Sequence, residues 1–161
     1  VADAPEVSAP IPVPEGVPEL AWSLDSTGGR SPLHKVLRIR MGITANGEGV
    51  AWFEADREIH FGDQWVHGGA IPPLVDLAGA ICVAHTYPDA MTAVDATIEL
   101  KVNYLKKAAE GPVVAVAKVV HTGRRIAVAD VDVTNRGNLC AKGIVTYMIR
   151  PDHKGTPDPD I

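Results

Sequence analysis

The sequence predicts an α+β fold in which one antiparallel sheet wraps around a single long helix. Two observations carry that prediction. The first is the run from His67 to His85, where Asp76 is the one charged side chain between the two histidines. A helix that is apolar all round is normally enclosed, and Pro72, Pro73 and Asp76 argue against lipid as the enclosure. The second is the flanks, where apolar and polar residues alternate in strand fashion on both sides of that run. The order is strand, strand, helix, then four strands, which suits a sheet layered on a helix.

Composition sets the bounds. The chain has 161 residues and is 46% apolar, enough for one domain with a sizeable core. Its net charge of −5 offers no broad basic surface to nucleic acid or to an anionic membrane. A polyanionic ligand would need local basic residues. Cys82 and Cys140 sit in apolar segments and read as buried free thiols, with no CxxC or paired Cys/His spacing for zinc. No signal peptide or membrane span is read, so the expected compartment is the cytoplasm.

Along the chain, residues 1–32 form a Pro/Gly-rich N-terminal extension, with prolines at 5, 10, 12, 14 and 18. Within it, Glu19 to Leu24 suits a short helical turn. From Val36, the alternation of Leu37, Ile39, Met41 and Ile43 against Arg38 and Arg40 predicts a strand. Asn46-Gly47 predicts a tight turn, and Val50 to Ile59 the returning strand. His60 to Val66 is the loop into the helix. Proline is tolerated only in a helix's first turn, so Pro72 and Pro73 place the helix start near Ala70 to Pro72. Tyr87-Pro88-Asp89 is a turn. Val94 to Tyr104 alternates as a half-buried strand. Three more strands follow, Val113 to His121, Ile126 to Thr134 and Leu139 to Ile149, with Asn135 to Asn138 as a hairpin loop. Residues 33–150 make the domain and residues 151–161 a polar tail.

The start of the helix is where chemistry is expected. The free N–H groups of Gly68 and Gly69 lie at the positive helix end, where an oxyanion can bind. Gly68 is the preferred donor. Asp76 follows about one turn after the helix start, off the main apolar stripe. It is either a solvated edge or a functional carboxylate. His60 and His67, with Asp63 between them, match no established metal spacing, and no metal ligand set is assigned.

His67-Gly68-Gly69 with Asp76 nine residues after the histidine resembles the hotdog-fold acyl-CoA thioesterases, specifically the phenylacetate-pathway, PaaI-like group. Glu99 to Leu105 resembles that family's central strand, and His121 to Ala127 its next turn. The resemblance spans about Leu33 to Arg150. It implies a hotdog fold and cofactor-free hydrolysis of an aromatic or fatty acyl-CoA thioester. It also implies a homodimer with sites across the interface, commonly two dimers in a homotetramer. Asp76 is then a general base on water or a nucleophile forming an anhydride. His67 orients the carbonyl or the helix start, and Thr97 matches a Ser/Thr that orients water.

Two features of this sequence stand against the family pattern. Strand alternation puts Thr97 on the outward face, away from the helix, unless a bulge or a subunit interface intervenes. The family's usual Asn or Gln six residues before the histidine is here Phe61, and Gln64 is the nearest substitute. Arg124, Arg125, Lys106 and Lys107 are candidates for the phosphates of coenzyme A, or are solvated turns. The alternative function is a hotdog protein that binds acyl-CoA without hydrolysing it.

Overall fold

In the computed structural model, residues 13–25, 31–62, 64–87 and 93–150 are described. The expectations for residues 1–12, for the loop at 26–30, for Asp63, for the turn at Pro88-Asp89 and for the tail at 151–161 lie outside them. A short strand β1 (Trp22–Asp25) and a one-turn helix α1 (Pro32–Val36) precede β2 (Arg40–Ile43) and β3 (Gly49–Ala55). A small hairpin, β4 (His60–Phe61) and β5 (Trp65–Val66), leads into the long helix α2 (Ile71–His85). Four long strands follow: β6 (Val94–Tyr104), β7 (Gly111–Thr122), β8 (Ile126–Asn135) and β9 (Asn138–Ile149). The main sheet has seven strands in the order β1-β2-β3-β7-β8-β9-β6, every described pairing antiparallel.

The predicted layer is present, with three local corrections. Glu19 to Leu24 is not a helical turn, because Trp22–Asp25 pairs with β2 as an edge strand. The strand expected from Val36 begins at Arg40. Ser31 accepts the His34 N–H and Pro32 opens the turn, so Pro32–Val36 is helical instead. Arg38 then takes φ 53° and pairs with Asp56 and with Glu58, at 3.3 Å for the latter. The strand expected to Ile59 stops at Ala55, where Asp56 caps a short 3-10 turn at Arg57–Ile59.

The core lies between the concave face of the sheet and one side of α2. Leu74, Val75, Ala78 and Val83 are fully buried against alternate residues of β3, β7, β8 and β9. Burying each of the larger ones contributes about 1.5–3 kcal/mol. The approach is close: a Cβ at Gly143 on β9 would stand 2.4 Å from Val75 Cγ1. Cys82 and Cys140 are buried free thiols as read, and burial pushes both up from the ordinary thiol value. The convex face has a smaller cluster, in which Val17 and Leu20 cover Val50, Trp52, Val114 and Val116.

The β8–β9 turn follows its residue chemistry. Arg136 and Gly137 take φ 51° and 73°, the left-handed pair a two-residue hairpin requires. Asn135, buried beside it, accepts the Ala109 N–H at 3.0 Å and donates to the Pro112 carbonyl at 2.9 Å, fixing the turn into β7.

Candidate active site

Helix α2 opens where the prolines require. A 3-10 turn at Gly68–Ala70 runs into Ile71, with Pro72 and Pro73 in the first helical turn. His67 caps that turn. Its Nδ1 accepts the Gly69 N–H at 3.0 Å, which leaves Nε2 as the ring nitrogen free to donate. A Cβ at Gly69 would lie 3.0 Å from the His67 ring, so glycine there serves the cap. Gly68 is different. It has no positive φ, and the nearest atoms an added Cβ would meet are those of the Tyr104 side chain, at 3.6 Å or more. Among the described residues neither backbone nor packing requires glycine at 68, and its N–H has no acceptor there.

Asp76 sits on the side of α2 that the sheet leaves half open, with Pro72, Pro73, Leu77 and Ala80. The Thr97 hydroxyl donates to Asp76 Oδ1 at 2.7 Å. The outward placement expected for Thr97 is thus corrected. Two bulges do it. Residues of β9 facing the helix are Ile149, Tyr147, Val145, Gly143 and Ala141, and their partners on β6 are Val94, Thr97, Leu100, Val102 and Tyr104. Asp95 and Ile98 are the extra residues, so the alternation slips before Thr97 and slips back after it. Ile98 bulges outward, 53% exposed.

Sequence reasoning missed two tyrosines. Tyr147, fully buried, donates from its hydroxyl to the Asp76 carbonyl at 2.6 Å. Burial, reinforced by the charge of Asp76, pushes its phenol well above the usual range. Tyr104 donates to the Gly68 carbonyl at 2.9 Å. The available signal was the rarity of the residue, since the chain has three tyrosines and these two fall on inward strand positions.

Beside Gly68 lies a groove of about 350 Å³, lined by Trp65, Val66, Gly68, Ile71, Tyr104 and the segment 105–108. Lys106 and Lys107 stand on that segment, with Lys107 Nζ 4.7 Å from the Trp65 ring centroid. Phe61 is 73% exposed on the small hairpin and meets the His67 ring edge-on, centroids 5.9 Å apart. Gln64 is exposed in the turn of that hairpin. His60 turns inward there, and neither of its ring nitrogens has a hydrogen-bond partner among the described residues. Arg124 and Arg125 lie elsewhere. Their turn is held to the far end of α2 by the Tyr87 hydroxyl on the Gly123 carbonyl, 2.8 Å, about 22 Å along a helix of 15 residues. Within one chain they do not share the Gly68 groove.

Known proteins carry the same architecture. The thioesterase superfamily profile matches residues 64–142, from the small hairpin into β9. A solved protein described as from the thioesterase superfamily is 30% identical, with a TM-score of 0.67 over 78% of this chain and 95% of that one. The chain belongs to the thioesterase superfamily. Its sheet around α2 is the hotdog fold, and the PaaI-like resemblance holds in three dimensions. The phenylacetic acid degradation protein PaaI from Thermus thermophilus, solved as a variant, is 27% identical, with a TM-score of 0.62 over 73% of this chain and 98% of that one. Among curated relatives, the Saccharolobus solfataricus protein named "Putative esterase SSO1253" is 36% identical over 87 residues, 52% of this chain. This thioesterase-superfamily chain spans 55% of that relative's length.

Proposed function

We propose that the protein hydrolyses an acyl-CoA thioester, aromatic or fatty, to the free acid and coenzyme A. The observation that carries this reading is the Asp76 carboxylate, oriented by the Thr97 hydroxyl on the open side of α2. It serves as the general base on water or as the nucleophile, and the Gly68 N–H receives the oxyanion. The His67 Nε2–H is a second donor for the carbonyl.

The geometry favours two copies. Gly68 and Asp76 are eight residues apart, about 12 Å along a helix axis. A carbonyl held between an N–H donor and an attacking group spans roughly 7 Å. Two antiparallel α2 helices meeting at their open sides bring Gly68 of one copy to Asp76 of the other. β6 is an edge strand, with Ile98 and Tyr104 exposed, and supplies the pairing edge. Sedimentation at micromolar concentration should give a dimer or larger; an active monomer would refute the shared site.

The second reading, a binder that does not hydrolyse, is favoured by Phe61, which offers no side-chain hydrogen bond where the family resemblance implies an amide. A panel of acyl-CoAs assayed for released thiol tests both. Thiol release above the uncatalysed rate is expected for at least one acyl group. Thermal stabilisation by acyl-CoA without any release would support the binder instead.

A further inference from the structure

We infer that Tyr104 is a positioning residue for the proposed reaction: its hydroxyl pins the Gly68–Gly69 peptide and so keeps the neighbouring Gly68 N–H, the oxyanion donor, pointing one way. This rests on the thioester-hydrolase reading and goes further, because it says what holds the donor still. A donor helps most when its direction is set before the reaction begins. Two successive glycines work against that, since glycine has the widest backbone freedom of any residue. Something outside the glycines must restrain them.

Hydrogen bonds within the turn do part of this. The His67 carbonyl accepts the Ala70 N–H at 2.9 Å, which fixes the far side of the peptide that carries the Gly68 N–H. The Gly69 N–H goes to His67 Nδ1 at 3.0 Å. These partners all lie in residues 67–70 and move with the turn. The Tyr104 hydroxyl differs, because it reaches the Gly68 carbonyl at 2.9 Å from a strand 36 residues away in the chain. That carbonyl also accepts the Ile71 N–H, so both of its lone pairs are used. A peptide is planar, so holding the Gly68 carbonyl at one edge and the Gly69 N–H at the other fixes the whole plane. Among the described residues, Tyr104 is the one side chain of the main sheet that hydrogen-bonds to Gly68 or Gly69. Its own place is set by the sheet. Tyr104 pairs with Ala141 on β9, and the next two N–H groups, of Leu105 and Lys106, both donate to the Cys140 carbonyl, at 2.9 and 3.1 Å. A rigid strand end thus governs the direction of a donor that stands on the helix turn.

The test is Tyr104→Phe in the full chain, which keeps the ring and removes the hydroxyl. With an acyl-CoA that the parent hydrolyses, kcat should fall at least about five-fold, as a small misplacement of a reacting group causes, while KM stays within about two-fold. Placing 4-aminophenylalanine at 104, which restores a donor, should bring kcat back to within about two-fold of the parent. Gly68→Pro deletes the oxyanion donor itself. His67 is extended, at φ −61° and ψ 125°, and proline suits the first helical position, so that substitution fits the backbone. In the Gly68→Pro background, Tyr104→Phe should cost less than about two-fold more, because a residue acting through the donor has nothing left to act on. An unchanged kcat in Tyr104→Phe would overturn the role, as would a loss carried by KM, which would mean that the hydroxyl touches substrate. So would losses that multiply in full in the Gly68→Pro background, or sedimentation showing that the loss follows dissociation of the subunits. Hydrogen exchange of the Gly69 N–H needs no turnover. It should quicken at least about three-fold in Tyr104→Phe with the β8–β9 amides unchanged, and an unaltered Gly69 rate would also overturn the role. If the parent hydrolyses no thioester, the hydrolase reading fails, while the exchange rate still decides whether Tyr104 holds the turn.

Discussion

The two sides of helix α2 use small residues for opposite reasons. On the sheet side, Gly79 is forced: an added Cβ would stand 2.4 Å from the Tyr147 hydroxyl oxygen, which must pass to reach the Asp76 carbonyl. At the opening turn, Gly68 is free: an added Cβ would meet only ordinary contacts with the Tyr104 ring. The first glycine is explained by the fold. The second is left over once the fold is accounted for, and that surplus points to a ligand approaching the backbone.

The comparison can be pressed hardest at Asp76, which lies between the two glycines. Asp76→Asn keeps the shape and a carbonyl oxygen for the Thr97 hydroxyl but removes the charge. Turnover of acyl-CoA should fall by roughly two to four orders of magnitude with folding intact, the range of general acid–base catalysis. Near-normal turnover would remove Asp76 from the mechanism and leave the proposed reading resting on the Gly68 and His67 donors.

Next come the glycines themselves. Gly68→Ala should alter stability by less than about 0.5 kcal/mol. It should cost at least about ten-fold in kcat/KM, because displacing a substrate by even 1 Å can cost about a hundred-fold. Gly79→Ala should do the reverse at the level of the fold, losing about 1–3 kcal/mol by overpacking, read as the denaturant midpoint. If the first substitution destabilised the protein and the second did not, the contrast between the two sides would be wrong.

The smallest effect belongs to Tyr147. Its phenol is raised above the ordinary value of 10.0, chiefly by burial. A raised folded-state value means that the unfolded chain ionises first as pH climbs. The stability owed to this group is therefore complete below about pH 10 and declines as pH rises toward the folded-state value. Tyr147→Phe should lose about 1 kcal/mol at neutral pH for the missing hydrogen bond. It should also show a shallower fall in Tm between about pH 9 and 11. Parallel alkaline curves for parent and variant would exclude Tyr147 as the source.

Much of this was written in the sequence, and the missing parts have physical causes. The helix start was legible because Pro72 and Pro73 tolerate few positions. The hairpin at Arg136-Gly137 was legible because turns have strict backbone needs. Val36 to Ile39 misled because its alternation suits a strand, while Ser31 and Pro32 cap a helix just upstream; local capping outweighed the pattern. β1 was missed because an edge strand of four residues carries little periodicity. At the site, His67, Gly68 and Asp76 were singled out from spacing and resemblance. The arrangement of Tyr104 and Tyr147 was not readable, since it depends on which β6 and β9 residues face the helix together.

Thr97 carries a final consequence. Its place opposite Asp76 is owed to a count rather than to chemistry: one surplus residue before it and one after. Neither the Asp95 nor the Ile98 side chain is what turns Thr97 inward, yet deleting either would reverse which residues downstream or upstream look inward. The Thr97–Asp76 contact is therefore set by residue count at these two positions and is fragile to the loss of a single codon. Insertions and deletions, more than changes of identity, are the mutations this strand cannot absorb.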